Sequence, residues 1–326
     1  MALSLGIIDN KIWSKDLLLE YLYTQFLKNE KAEINFLPEA TCLTSSDVYY
    51  ILDKFCAATR YDKKNISIKT ANMIEMHREY NIIKDSGSWY EIPLIQNWLK
   101  ENKISYQNKP TKHFANFISR THWSRLWLAT ILNTYYRDIT IQTYNYDGTS
   151  DNYNPTKYVG LDDLAKKGCN LLIEAAEFIT TCPQKLNVEI YPIQHPTNLN
   201  LLPYYNNIFV DIVVETNVTG SSFLVTEKLW RPIIANRPFI VMSNRHYLSN
   251  LRKLGFQTFD TVWSEEYDNF TGADRIKQIQ GLLAQISHWT IDELEIKLFG
   301  MKEILDHNKN IFKNLTNAKI NEVFNA

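Results

Sequence analysis

Apolar residues recur along the chain at two alternating spacings. Short apolar runs, such as residues 3–8 and 208–214, are rich in β-branched side chains. Longer segments lie between them, and their apolar residues return at helical spacing. The short runs predict strands and the longer segments predict helices. This order is typical of an α/β fold with parallel strands.

A turn-rich, lysine-containing stretch at residues 85–112 separates two series of these elements. The first series predicts strands at 3–8 and 32–37 and helices at 13–26, 48–59 and 92–102. The second predicts strands at 113–118, 139–143, 208–214, 238–242 and 258–263, and helices at 121–136, 161–179, 245–254 and from 275 almost to the end. We therefore predict two Rossmann-like domains facing a cleft, at residues 1–110 and 111–326. Open parallel sheets bind ligands at the carboxyl ends of their strands, which predicts where the site lies.

The composition is that of a globular protein long enough for two domains, with 326 residues, 45% hydrophobic and 22% charged. The net charge of -1 gives no overall attraction to nucleic acid or anionic membranes, although a local basic groove stays compatible with it. No two cysteines stand at metal-binding spacing, so we interpret all four as reduced thiols. They are Cys42, Cys56, Cys169 and Cys182.

The first residues form a strand-like run without the basic and long apolar segments of a signal peptide. No stretch approaches the roughly 18 apolar residues that a membrane span requires. We therefore expect a cytoplasmic protein with no transmembrane association.

A strand-to-helix turn at Arg120 offers one candidate anion site. The predicted strand at 113–118 leads into the predicted helix at 121–136, whose N-terminus would present free N–H groups. Arg120 and Arg125 would add two planar guanidinium groups, each able to bind two phosphate oxygens. The alternative is an ordinary helix start with solvated arginines.

A second candidate site lies between Glu215, which ends a predicted strand, and the next predicted helix. The connecting polar loop closes with Ser222 and leads to Thr226, a candidate N-cap. The cap would place Glu227 and Lys228 in the first helical turn. A lysine there opposes the helix dipole and indicates a nearby anion. Glu227 would accept hydrogen bonds from ribose hydroxyls and Lys228 would meet phosphate, whereas Glu215 would contact sugar hydroxyls. The alternative is a first turn with solvated charges.

The segment around Thr226-Glu227-Lys228 resembles the sugar-donor motif of the α1,3-fucosyltransferase family, in which Thr-Glu-Lys precedes a helix and a strand. The chain is also similar to a set of phage and bacterial glycosyltransferase-like proteins through four further blocks in the same order. These blocks are Pro232-Ile233, Pro238-Phe239-Ile240, Leu-Arg-Lys-Leu-Gly-Phe-Gln-Thr-Phe at 251–259 and Trp-Ser-Glu-Glu-Tyr-Asp at 263–268.

The resemblance implies the two-domain GT-B fold of nucleotide-sugar-dependent glycosyltransferases, with the sugar donor bound by the C-terminal domain. It implies that Glu227 meets the donor ribose and that Lys228 and Arg120 hold the diphosphate. Ser222, Thr226 and Arg125 complete the candidate donor-binding set. Pro232 departs from the family, whose helix continues at that position. Its missing N–H predicts a kink or a later helix start.

Glycosyl transfer requires that the leaving diphosphate be stabilised and that the acceptor hydroxyl lose a proton. The sequence contains no Asp-x-Asp, a signature of a metal-bridged diphosphate, so we predict a reaction without metal or other cofactor. Asp9, just past the first predicted strand, is the candidate catalytic base, and a turn residue is its alternative interpretation. Glu39 is the next candidate.

The predicted partners are a nucleotide-sugar donor and an acceptor that is a glycan or a modified nucleic-acid base. Two other functions stay open: a nucleotide-sugar epimerase, and a non-enzymatic phage or bacterial module with a degenerate sugar- or nucleotide-binding cleft. His122 and His195 have no partner at catalytic or metal spacing, so we interpret them as structural. Tyr144, Tyr146 and Tyr153 would either stack on a base or sugar or lie at the surface.

Overall fold

A computed structural model describes residues 2–5, 7–8, 11–12, 14–36, 43–86, 89, 91–102, 109–118, 122–144, 161–184, 186 and 199–325. These residues form an α/β protein with two four-stranded parallel sheets, consistent with the predicted two-domain, Rossmann-like arrangement. The alternation of short and helical apolar spacings therefore indicated the correct fold class.

The strands are β1 Leu3–Ser4, β2 Ile7–Ile8, β3 Lys11–Ile12, β4 Ala32–Phe36, β5 Ile66–Thr70, β6 Asn81–Lys84, β7 Lys112–Ile118, β8 Thr140–Tyr144, β9 Ile208–Val214 and β10 Phe239–Met242. The α-helices are α1 Lys15–Lys28, α2 Val48–Thr59, α3 Glu91–Glu101, α4 Trp123–Tyr135, α5 Leu161–Lys166, α6 Leu172–Thr180, α7 Glu227–Ile234, α8 Tyr247–Lys253, α9 Gly272–Ser287, α10 Ile291–Gly300, α11 Lys302–Asn314 and α12 Asn317–Asn325.

The chain divides into two compact units, and the division is not a single cut near residue 110. The first unit comprises Met1–Tyr90, Thr219–Leu224 and Leu315–Ala326, and the second comprises Glu91–Val218 and Val225–Asn314. Hydrogen bonds explain why two late segments join the first unit. The side chain of Asn72 bonds the carbonyl of Ser221 and the amide of Phe223, and Lys84 donates to the carbonyl of Phe324.

The sheet of the first unit has the order β1–β4–β5–β6, and its core lies along the alternating residues of two central strands. Ile34 of β4 pairs in register with Ile68 of β5, and both are fully buried. Leu18 and Leu22 of α1 are also fully buried, one helical turn apart.

The sheet of the second unit has the order β10–β9–β7–β8. Every residue of β9 and β10 is buried, because a parallel strand covered on both faces presents no solvent-facing positions. The register pairs Val214 with Met242, so these two strands end side by side. This edge carries the residues considered below.

Three predicted elements were wrong in extent or type. The predicted strand at 3–8 is divided: β1 pairs with β4, whereas β2 turns into an antiparallel pair with β3. The predicted helix at 161–179 is interrupted by Gly168, whose φ of 75° ends α5 before α6 begins.

The predicted strand at 258–263 is a series of turns. The amides of Val262 and Trp263 both donate to the carbonyl of Phe259. The amide of Phe259 in turn donates to the Glu265 carboxylate at 2.7 Å. A side chain therefore takes the backbone donor that a sheet would need.

Two further observations concern the described residues alone. None of the helices among them is long and apolar enough to cross a membrane. Cys56, Cys169 and Cys182 are free thiols, as predicted, and Cys42 lies outside the described residues.

Candidate functional site

Glu215 directly follows β9 and ties the end of this strand to the next helix. Its amide donates to the carbonyl of Met242 at 3.0 Å. Its carboxylate accepts hydrogen bonds from the amide and hydroxyl of Thr226 at 3.2 and 2.7 Å, and from the hydroxyl of Tyr247 at 3.1 Å. The predicted sugar-contacting carboxylate is thus buried and engaged by protein groups. The two hydrogen bonds from Thr226 fix the N-cap of α7, and the predicted sugar contact stays a prediction.

Thr226 is the N-cap of α7, as predicted. Its hydroxyl accepts a hydrogen bond from the amide of Lys228 at 3.4 Å. The cap places Glu227 and Lys228 in the first helical turn. Pro232 lies inside α7 and does not delay the start of this helix, because the cap and the buried side chains around Trp230 fix its first turn. Residues 226–228 are called the Thr-Glu-Lys turn below.

Glu227 and Lys228 are paired with each other. The Lys228 Nζ lies 3.0 Å from the Glu227 Oε1 and donates to the Thr226 hydroxyl at 3.1 Å. Burial acts to raise the pKa of Glu227, but the charges of Lys228 and Arg231 outweigh it and hold this pKa below its ordinary value. The side chains of Lys228 and Glu227 keep 17% and 16% of their surface exposed, so both are in contact with solvent.

Glu91, the first residue of α3, is a charged neighbour of this turn that sequence reasoning missed. Its side chain is buried, and its pKa is raised to about 7. Burial is the largest cause, and the negative charges of Glu227 and Glu215 add to it, whereas Lys228 acts in the opposite direction. A carboxyl group with this pKa exchanges protons near neutral pH. In the sequence it looks like any acidic residue in a first helical turn.

The structure brings Glu91, Glu215, Thr226, Glu227 and Lys228 together in the second unit. Arg125 is buried in the first turn of α4, and Ser222 is buried in the segment Thr219–Leu224, which belongs to the first unit. Asp9, Glu39 and Arg120 lie outside the described residues.

No group of three His, Cys, Asp or Glu side chains that could hold a metal ion occurs in the described part of the chain. A reaction without metal stays a prediction.

Comparisons with protein-family models, curated proteins and solved structures found no match to this chain. The likeness to fucosyltransferases and to phage and bacterial glycosyltransferase-like proteins therefore rests on the motif residues alone.

Proposed function

We propose that the protein is a glycosyltransferase of GT-B type that moves a sugar from a nucleoside-diphosphate donor to a hydroxyl group. The observation that carries the proposal is the ionisable cluster in the second unit. A carboxylate–ammonium pair in the first turn of α7 lies beside a carboxyl group whose pKa is about 7. The cluster follows the carboxyl end of a parallel strand, where α/β proteins bind ligands.

The Thr-Glu-Lys turn supplies complementary groups for a nucleotide sugar. A diphosphate would draw the Lys228 ammonium away from Glu227, and the N-terminus of α7 would favour the same negative charge. The freed Glu227 carboxylate would accept hydrogen bonds from ribose hydroxyls. Stabilising the diphosphate lowers the barrier to breaking the bond between the anomeric carbon and the phosphate oxygen.

Glu91 is the group that we propose accepts the proton of the acceptor hydroxyl. Its pKa near neutrality suits this task, since a base works best when its pKa is close to the working pH. We expect activity to persist in excess chelator, because Lys228 provides the positive charge. A reaction abolished by chelator and restored by a divalent ion would contradict this.

A thermal-shift comparison tests the donor site. GDP, UDP, ADP and CDP are each added to the wild type and to the variants Glu227→Gln, Lys228→Gln and Lys253→Gln. Lys253 is an exposed lysine at the end of α8 and serves as the matched control. We expect at least one nucleotide to raise the melting temperature of the wild type and of Lys253→Gln. The other two variants should lose this stabilisation.

Binding and turnover are separated in a second step. The nucleotide that binds is supplied as sugar donors, and nucleotide release is measured with glycan and modified-DNA acceptors. Stabilisation without release would favour the non-enzymatic binding module. No stabilisation by any of the four nucleotides would contradict both the proposed glycosyltransferase and the nucleotide-binding module.

A further inference from the structure

Tyr247, the first residue of α8, is a buried tyrosine whose hydroxyl reaches the carboxylate that follows β9. Its side chain is 1% exposed, and its hydroxyl donates to the Glu215 Oε1 at 3.1 Å. The same Oε1 accepts the amide of Thr226, and the Oε2 accepts the hydroxyl of Thr226. Glu215 therefore receives three hydrogen bonds, and one of them comes from a helix outside the Thr-Glu-Lys turn.

The Thr226 hydroxyl connects Glu215 to Lys228. A hydroxyl carries one hydrogen, and this hydroxyl gives it to Glu215, so its oxygen is left as an acceptor. It accepts from the Lys228 amide at 3.4 Å and from the Lys228 Nζ at 3.1 Å. The ammonium also lies 3.0 Å from the Glu227 Oε1. Lys228 is thus bound by Glu227 directly and lies one hydroxyl away from Glu215.

Asp268 fixes the start of α8 and so the place of Tyr247. Its two carboxylate oxygens accept the amides of Leu248 and Ser249 at 3.0 and 3.2 Å. Its backbone carbonyl accepts the amide of His246 at 2.7 Å. Because the residues on both sides of Tyr247 are bound to one aspartate, the backbone of Tyr247 has little room to shift.

Arg275 of α9 anchors Asp268 to the carboxyl end of β10. Its guanidinium is fully buried and donates to the Asp268 Oδ1 at 3.0 Å, to the carbonyl of Val241 at 3.0 Å and to the carbonyl of Asn244 at 2.8 Å. Asp268 is the last residue of the Trp-Ser-Glu-Glu-Tyr-Asp block. A continuous set of hydrogen bonds therefore fixes the position from which Tyr247 reaches Glu215, and this block is part of it.

We propose that Tyr247 is a positioning residue that keeps the Lys228 ammonium available to the diphosphate of the sugar donor. Its hydroxyl satisfies part of the negative charge of Glu215. Without this donor, the buried carboxylate would gain from a new one, and the Lys228 ammonium is one hydroxyl away. Glu215 would then compete with the diphosphate for Lys228. The proposal rests on the proposed function, in which Lys228 meets the diphosphate.

Nitrogen-15 NMR of the lysine ammonium groups tests the position of Lys228 without any nucleotide. Spectra of the wild type, Tyr247→Phe and Tyr267→Phe are compared in mildly acidic solution, and Lys228→Gln assigns the signal. Tyr267 is the matched control, because it is 2% exposed and its hydroxyl makes no hydrogen bond to Glu215. We expect the Lys228 signal to move in Tyr247→Phe alone.

An unmoved Lys228 signal in folded Tyr247→Phe overturns the proposal, and so does an equal movement in Tyr267→Phe. Tyr247→Met gives the same measurement if the phenylalanine variant fails to fold.

Calorimetric titration tests the consequence for binding. The nucleoside diphosphate that stabilises the wild type is compared with its nucleoside, which lacks the phosphates. Tyr247→Phe should weaken the diphosphate by about tenfold and leave the nucleoside nearly unchanged, with Tyr267→Phe close to wild type for both. In the Lys228→Gln background, Tyr247→Phe should cause no further loss, because the group that it positions is absent.

The outcomes separate this proposal from the proposed function. Equal weakening of diphosphate and nucleoside by Tyr247→Phe, or an undiminished loss in the Lys228→Gln background, overturns the positioning role and leaves the proposed function standing. If the wild type binds no nucleotide, the proposed function fails, and the lysine spectra still decide whether Tyr247 sets the position of Lys228.

Discussion

Two buried glutamates, Glu75 in the first unit and Glu91 in the second, share the main cause of a raised pKa but differ in the groups that surround the carboxyl group. Burial raises the pKa of each. The Glu75 carboxylate accepts hydrogen bonds from the Leu43 amide at 3.0 Å, the Thr44 hydroxyl at 3.2 Å, the Tyr49 hydroxyl at 3.1 Å and the Asn72 amide group at 2.9 Å. For Glu91, the hydrogen bond among the main causes that act on its pKa comes from its own backbone amide.

The difference shows that burial of a carboxyl group does not by itself indicate a functional site. Four donors converge on Glu75, so its carboxylate organises the loop and helix around it. Glu91 faces two other carboxyl groups and gains little from the fold. A buried carboxyl group whose ionised form the surrounding protein disfavours is a candidate for a catalytic role. The predictions below test this contrast from the largest expected effect to the smallest.

Replacing Glu75 should cause the largest loss of stability. Glu75→Ala leaves four buried or partly buried donors without their acceptor, which should cost about 3–5 kcal/mol of unfolding free energy. Urea unfolding measures the change. Glu75→Gln keeps one acceptor oxygen and should lose less. A loss below about 1 kcal/mol for the alanine variant would show that the cluster does not organise the first unit.

Replacing Glu91 should instead increase the free energy of unfolding. Its pKa of about 7 exceeds the ordinary value of 4.5, so the folded protein binds this proton more tightly than the unfolded chain does. The wild type therefore loses stability as the pH rises from about 4.5 to about 7. Glu91→Gln, which has no such charge, should be more stable by roughly 1–3 kcal/mol at pH 8 and nearly unchanged at pH 4.

The same Glu91 variant should lose sugar transfer while it keeps nucleotide binding. Urea unfolding at the two pH values and a nucleotide-release assay provide the measurements. A destabilised Glu91→Gln at pH 8, or one with wild-type turnover, would place Glu91 with Glu75 among the structural carboxyl groups.

Thr226 should give a smaller effect, because it combines a cap with two side-chain bonds near the protein surface. Thr226→Ala removes the acceptor of the Lys228 amide and ammonium and the hydroxyl that donates to Glu215, for about 1–2 kcal/mol. Thr226→Ser keeps these bonds and should stay within about 0.5 kcal/mol of wild type. Equal losses in the two variants would attribute the effect to the missing methyl group instead.

Glu79, an exposed carboxyl group of the first unit, should give the smallest effect. Its side chain is 58% exposed and pairs with Lys63 at 2.9 Å. Exposed pairs of this kind contribute little, so Glu79→Gln should change the unfolding free energy by less than about 0.5 kcal/mol. Urea unfolding beside Glu75→Ala shows whether loss of a negative charge alone matters in this unit.

The local features of the second unit were predictable from sequence because their causes are local. The nearly continuous apolar run of β9 predicted a strand, which is buried at every position, and Thr226 before Glu227 predicted a capped helix. Gly255, with a φ of 92°, ends α8 as expected for a C-terminal glycine. Each of these signals lies within a few residues of the structure that it specifies.

The features that were missed depend on residues far apart in the chain. Glu91 acquires its environment from Glu215 and Glu227, which no spacing rule connects to it. The Glu75 cluster likewise joins residues of two separate loops. β5 was missed although Ile66 and Ile68 alternate with polar residues, because lysines and asparagines surround them. Asp9 and Arg120 stay predictions, since they lie outside the described residues.

Pro232 and the short length of α7 should make the amide exchange of this helix sensitive to its surroundings. The helix has eight residues, its early amides turn back to Thr226, and one position has no amide hydrogen at all. Few of its amides are locked by its own backbone ladder, so their protection against deuterium depends on the cap and on packing around Trp230. The deuterium uptake of residues 227–234 should therefore slow when a ligand occupies the Thr-Glu-Lys turn. Deuterium uptake by this segment would therefore report whether a ligand occupies the Thr-Glu-Lys turn.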